Sequence, residues 1–123
     1  MMASREEIGK VKLVARVIEG AQAQGLRALA DALKEKLGSA VVALGAGKEK
    51  QAVLVLGVTP DLCAKGIDAG KITRQLAALI GGSGGGMPDF AQAGGNKPEG
   101  FAQLFAELRG IINKGQSIPG IAE

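Results

Sequence analysis

The sequence contains no histidine, no tryptophan and no tyrosine, and its single cysteine is Cys63. Histidine is the commonest general base near neutral pH and the commonest zinc ligand, so its absence excludes Ser/His and Cys/His catalytic pairs and histidine-based zinc sites. One cysteine cannot form an internal disulfide, and we interpret Cys63 as a small buried side chain. We therefore predict a chain without histidine-dependent catalysis, without a metal site and without a cofactor.

Aromatic residues are limited to Phe90, Phe101 and Phe105. RNA modules that read sequence commonly stack unpaired bases on aromatic side chains, so any RNA recognition here would depend on shape and phosphate contacts. The formal net charge of +3 permits an anionic partner without requiring one. No apolar run reaches the ~18 residues of a membrane helix, and the first ten residues are too charged for a signal peptide. We expect a cytoplasmic protein with no membrane partner.

The spacing of apolar residues predicts a two-layer α/β sandwich in which helices cover a small mixed β-sheet. The predicted order begins with a strand over Val11–Ile18, a helix over Ala21–Leu37 that ends at Gly38, and a hairpin of buried strands over Ala40–Leu44 and Ala52–Leu56. A short helix after Thr59 and a helix capped by Asp68 that ends at Gly81 follow. The last helix opens at Pro98, and its predicted buried residues are Phe101, Leu104, Phe105, Leu108 and Ile112. The predicted boundaries are a flexible N-terminal segment over residues 1–10, a globular domain over 11–113 and a flexible tail over 114–123.

Residues 81–95 read GGSGGGMPDFAQAGG and are the least ordinary stretch of the chain. A flexible linker is one interpretation, because a Gly/Ser-rich chain is entropically costly to order. The apolar residues Pro88, Phe90 and Ala91 favour instead a structured loop packed against the sheet. Such glycine density lets amide N–H groups approach an anion. Because Met87 follows Gly86 where a phosphate loop requires lysine, and because the dinucleotide pattern is also missing, a nucleotide-binding enzyme is disfavoured.

This glycine-rich run resembles the block at the end of alanyl-tRNA synthetases, in which a glycine cluster precedes Pro-x-x-Ala-Gln-Ala-Gly-Gly. The preceding segment Asp61–Lys71, with its Lys-Gly pair followed by an Ala-Gly pair, is similar to the same family. The similarity covers most of the chain from Val11 to Ile112. Related domains that follow DHH-type phosphoesterase cores carry a histidine after the glycine cluster, so its absence favours the synthetases. Family members often carry a basic residue where this chain has Met87, which weakens a phosphate contact at that position.

The resemblance implies a non-catalytic module that grips the outer corner, or elbow, of alanine-specific tRNA and helps to link aminoacylation with editing. It also implies the remainder of the synthetase chain as a partner, and it allows a homodimer, which the family forms largely through a helical segment upstream of this domain. The predicted contacts to phosphate are Lys65, Lys71, Arg74 and Lys97, and the residues predicted to shape the RNA contact are Gly84, Gly85, Gly86, Met87, Asp89 and Gln92.

Other interpretations of these residues stay open. Each lysine or arginine could be an ordinary solvated side chain, and Lys48 with Lys50 at the predicted hairpin tip is an alternative RNA site. Asp89 and Gln92 could brace the glycine-rich run, and Phe90 is assigned to the core. The competing function is a protein interaction or dimerisation domain, and a small-molecule enzyme is the least favoured class.

Overall fold

The computed structural model describes residues 5–8, 11–18, 22–48, 51–64 and 66–116 of the chain. Within these residues, six strands form one sheet in the order β1-β2-β3-β4-β6-β5, where β2 and β3 are parallel and the other neighbours are antiparallel. The elements are β1 Arg5–Ile8, β2 Val11–Val17, α1 Ala23–Leu37, β3 Ala40–Lys48, β4 Gln51–Val58, α2 Pro60–Ala64, α3 Ala69–Leu76, β5 Ser83–Met87, β6 Phe90–Gly95 and α4 Phe101–Gln116, with 3-10 turns at Ala77–Ile80 and Pro98–Gly100.

Helices cover both faces of the sheet. Successive side chains of a strand point to opposite faces, and in β3 Val41 and Ala43 join the buried cluster beneath α3 and α4, whereas Val42 and Leu44 join the cluster beneath α1. The predicted mixed sheet covered by helices is therefore confirmed, and α1 adds a third layer to the predicted two. Burial on both faces explains why β3 and β4 read as continuous apolar runs.

The glycine-rich run is a β-hairpin and not a loop between helices. Strands β5 and β6 pair antiparallel around the turn at Pro88 and Asp89, and β6 pairs with β4, so the hairpin extends the sheet. The linker interpretation is wrong. Glycine is depleted in strands and leaves no alternation of side chains to read, so the sequence pattern did not predict these two strands.

The ends of the domain also differ from the predicted boundaries. Arg5–Ile8, placed in the flexible segment 1–10, forms β1, which pairs antiparallel with β2. This short polar segment has little strand signal of its own, and its conformation depends on the ladder that β2 provides. At the other end α4 continues to Gln116, past the predicted limit at residue 113, and residues 117–123 lie outside the described part of the chain.

Hydrogen bonds around Asp61 fix the start of α2 to the start of β3. The hydroxyl of Ser39 donates to Asp61 Oδ2 at 2.5 Å, and that of Thr59 donates to Oδ1 at 2.6 Å. Thr59 Oγ1 also accepts from the backbone N–H of Ala40 at 3.1 Å, which satisfies this buried hydroxyl. The hydrogen bonds from Ser39 and Thr59 lower the pKa of Asp61, because they stabilise the ionised carboxylate.

Candidate nucleic-acid interface

Helix α3 presents two cations on its outer side. The helix begins at the predicted cap, where Asp68 Oδ1 accepts from the N–H of Lys71 at 3.0 Å. Ile72 and Leu76 are buried in the core, while the side chains of Lys71 and Arg74 are exposed. Among the described residues, neither cation forms an ion pair or a side-chain hydrogen bond. Both charges are therefore available to an anionic partner.

Helix α3 lies in close contact with β5 because both carry glycine at the crossing. A Cβ on Gly70 would lie 2.5 Å from the carbonyl oxygen of Gly86, a distance that no side chain could tolerate without backbone movement. A Cβ on Gly85 would lie 3.3 Å from Cγ and 3.4 Å from Nη1 of Arg74. The Arg74 side chain therefore extends over the glycine strand rather than away from it.

Strand β5 is an edge of the sheet. It pairs with β6 on one side, and no other strand in the described ranges pairs with it, so the outward N–H and C=O groups of Ser83–Met87 have no ladder partner. Gly84, Gly85 and Gly86 place no side chain in front of this edge. The cations of α3 thus stand beside an open stretch of backbone that a polyanion can approach closely.

The carbonyl of Pro88 fixes the hairpin turn to the α3 side. It accepts from the N–H of Ala69 at 2.8 Å and lies 3.3 Å from Sγ of Cys63. Burial raises the pKa of the Cys63 thiol, which keeps it protonated and able to donate. Cys63 is half-buried, and this contact gives it a structural role.

The carbonyl of Asp89 fixes the same turn to β4 and α1. It accepts from the N–H of Val58 at 3.0 Å and from Nζ of Lys34 at 3.0 Å. Lys34 reaches this position because its methylene chain lies on Gly57, where a Cβ would come within 2.9 Å of Cδ. Asp89 therefore braces the turn through its backbone oxygen, and its exposed carboxylate makes no hydrogen bond among the described residues.

The predicted contact residues do not form one patch. Lys71, Arg74 and the β5 glycines lie together, whereas Lys97 is exposed at the far end of the hairpin, where its N–H donates to the carbonyl of Ile80 at 2.8 Å. Met87, with 67% of its surface exposed, ends β5 at the turn. Gln92 is exposed on β6 in register with Gly85. Lys65 and Lys50 lie outside the described residues, as does the side chain of Lys48.

A groove of about 430 Å³ lies on the other side of the hairpin, against α1. Arg27, Asp31 and Lys34 contribute to it from α1. In the sequence these three charges lie opposite the apolar stripe of the helix, a pattern that indicates only a solvated face. Cζ of Arg27 lies 4.5 Å from the ring centroid of Phe90, a cation–π contact. Only the topology brings α1 beside the hairpin, so no local signal could have found this groove. Its remaining lining comes from Gly85, Gly86, Met87, Asp89, Phe90, Ala91 and Gln92.

In the described part of the chain, no group of three or more His, Cys, Asp or Glu side chains is placed to hold a metal ion. None of the helices there combines the length and the apolar character needed to cross a membrane.

Comparisons with known proteins agree on one family. Residues 10–114 match the DHHA1 domain. The alanine–tRNA ligase of Ruthia magnifica is 45% identical over 107 residues, which cover 87% of this chain and 12% of the ligase. The corresponding ligase of Bacillus velezensis is 46% identical over 101 residues, 82% of this chain and 12% of the ligase. The chain therefore spans about one eighth of the length of the relatives it matches.

Comparison with solved structures also finds an alanyl-tRNA synthetase domain. The C-Ala domain from Aquifex aeolicus alanyl-tRNA synthetase superposes with a TM-score of 0.83 at 30% identity, covering 89% of this chain and 97% of that domain. The DHH domain of a member of the s1p family of ribosomal proteins superposes with a TM-score of 0.60 at 14% identity over 92% of this chain and 28% of that one. At that identity the second match shows a shared fold alone.

Proposed function

This chain belongs to the DHHA1 domain family, among the C-terminal domains of alanyl-tRNA synthetases, and we propose that it is a non-catalytic module that binds the elbow of alanine-specific tRNA. The rest of the synthetase chain, which supplies the aminoacylation and editing sites, is its covalent partner in this proposal. We also propose that the protein is located in the cytoplasm.

One observation carries the proposal: the exposed cations Lys71 and Arg74, which have no ion-pair partner in the described part of the chain, stand beside the open glycine edge of β5. Phosphate contacts supply a large share of the affinity of proteins for nucleic acids, and their donors include lysine, arginine and backbone N–H groups. All three kinds of donor are available on this surface. The hairpin turn is held by α1, β4, α2 and α3, so the backbone of the surface is already ordered and binding does not have to order this turn.

A second function is favoured by the same edge and by Met87. An open edge strand can add a strand from another polypeptide, and an exposed apolar side chain at its end favours a protein contact. Protein interaction or dimerisation within the synthetase therefore remains the alternative. The two functions differ in their dependence on salt.

The test is a titration of the purified chain with alanine-specific tRNA at several salt concentrations. We expect binding whose affinity falls steeply as salt rises, with a logarithmic slope of about −0.7 to −0.9 per phosphate contact. Light scattering at the same concentrations would report self-association. No tRNA binding at low salt, together with a stable dimer, would reject the RNA function in favour of the alternative.

A further inference from the structure

The groove between α1 and the hairpin contains a planar cation that already lies over an aromatic ring. Phe90 packs against the buried cluster beneath α1, and the guanidinium of Arg27 lies over its ring at 4.5 Å from the centroid. This contact restrains a side chain that is otherwise exposed and flexible. RNA-binding proteins use arginine guanidinium planes, as well as aromatic rings, as stacking surfaces for unpaired bases.

The polar groups of the groove do not favour phosphate. Its charged side chains are Arg27 and Lys34 on one hand and Asp31 and Asp89 on the other, so the charges balance. The ammonium of Lys34 is already used by the carbonyl of Asp89. Within the described ranges, the carboxylates of Asp31 and Asp89 and the carboxamide of Gln92 make no hydrogen bond. The groove therefore offers the unpaired acceptors of two carboxylates and one carboxamide beside the guanidinium of Arg27, without the net positive charge of a phosphate site.

We propose that this groove holds one unpaired guanine base of a bound RNA, stacked on the guanidinium of Arg27. An ionised carboxylate only accepts hydrogen bonds, and the Watson–Crick edge of guanine presents two adjacent donors, N1–H and the N2 amino group. The carboxamide of Gln92 has donors for O6 of the same base. Gly85 and Gly86 line the groove with backbone atoms alone. This inference rests on the proposed RNA-binding function.

The position of β5 connects the groove with the cations of α3. Gly85 lines the groove, and a Cβ added to it would point to the other side of β5, 3.3 Å from Cγ of Arg74 on α3. One thin glycine strand therefore separates a cationic surface from a surface with stacking and acceptor groups. A nucleotide at this edge can place its phosphate towards Lys71 and Arg74 and its base towards Arg27.

The experiment compares hexaribonucleotides of uridine that carry one central guanosine, adenosine or abasic residue. The wild-type chain should bind the guanosine hexamer about tenfold more tightly than the abasic one, as expected for one stacked base. Arg27→Lys keeps the charge and removes the plane, so it should abolish this preference without changing the salt dependence. The wild-type chain should also bind the guanosine hexamer more tightly than the adenosine hexamer, and the double variant Asp31→Asn and Asp89→Asn should remove this preference.

Controls separate this inference from the proposed function. Lys36→Ala, an exposed cation in the last turn of α1 outside the groove, should leave all three affinities unchanged. Guanosine monophosphate alone should bind at least about tenfold more weakly than the hexamer, because it lacks the flanking phosphates. Equal binding of the guanosine and abasic hexamers, or an Arg27→Lys variant that keeps the preference, would overturn the base site while salt-dependent tRNA binding still stood. Equal binding of the free nucleotide would overturn its assignment to RNA, and absence of all RNA binding would overturn both.

Discussion

Replacing Lys71 and Arg74 together with alanine is expected to lower the affinity for tRNA about 30-fold, if each screened, charge-assisted contact contributes about 1 kcal/mol. Loss of two phosphate contacts should also reduce the logarithmic salt slope by about 1.4 to 1.8. Neither side chain is buried or paired among the described residues, and alanine is a strong helix former, so α3 and the fold should survive. Titration of tRNA at several salt concentrations, with circular dichroism of the variant, measures both effects.

The matched control removes the same charge elsewhere. Lys36 on α1 and Arg16 on β2 lie away from the β5 edge, and replacing both with alanine also removes two positive charges from a chain of formal net charge +3. If only net charge mattered, the two double variants would bind tRNA equally. Unchanged affinity and slope in the Lys71/Arg74 variant would show that the RNA surface lies elsewhere.

Substitution of Gly95 by alanine is expected to destabilise the fold by about 3 kcal/mol, because the added Cβ has no room. It would overlap the carbonyl oxygen of Ile80 and lie 2.8 Å from the carbonyl carbon of Ile80 and 3.0 Å from the backbone nitrogen of Gly82. These are backbone atoms in the turn that connects α3 with β5, so they cannot move aside as a flexible side chain would. The hairpin or the turn must shift, and tRNA affinity should fall with stability.

The neighbouring glycine provides the control for this prediction. A Cβ on Gly94 would find its nearest atom, the carbonyl oxygen of Ala52, at 3.9 Å, which is an ordinary contact. Gly94→Ala should therefore change stability by no more than about 0.5 kcal/mol. Urea unfolding measures the free energy of unfolding of both variants. Equal stabilities would show that the close approach at Gly95 does not constrain the hairpin.

The sequence predicts those parts of the fold in which apolar side chains recur at the regular spacing of a helix or a strand. Helical spacing predicts that Leu26, Leu29, Ala30, Leu33 and Leu37 form the buried side of α1. Leu26, Ala30 and Leu37 are buried and Leu33 is half-buried, whereas Leu29 is 39% exposed and was predicted wrongly. The cap at Asp68 was predictable from residue type and position, and so was the exposure of Lys71 and Arg74. These features are local, so a single segment contains all the information that specifies them.

The parts that the sequence does not predict depend on contacts between distant segments. The glycine hairpin has no side-chain pattern, and β1 is a short polar edge strand whose order depends on pairing with β2. The groove is formed because α1 packs on the face of the sheet to which Phe90 of the hairpin also packs. About fifty residues of chain separate α1 from the hairpin. Arg27 gains its position over Phe90 only in the folded domain, so its sequence neighbours gave no sign of it.

Hydrogen exchange of the chain with and without alanine-specific tRNA tests the central claim most directly. Exposed amides at an edge strand exchange quickly unless a ligand covers them. We expect tRNA to slow exchange over Ser83–Met87 and over the first turns of α3, while β1 at the opposite edge of the sheet stays unchanged. Slowed exchange confined to β1 and β2, or no change along β5 at saturating tRNA, would contradict the proposed interface.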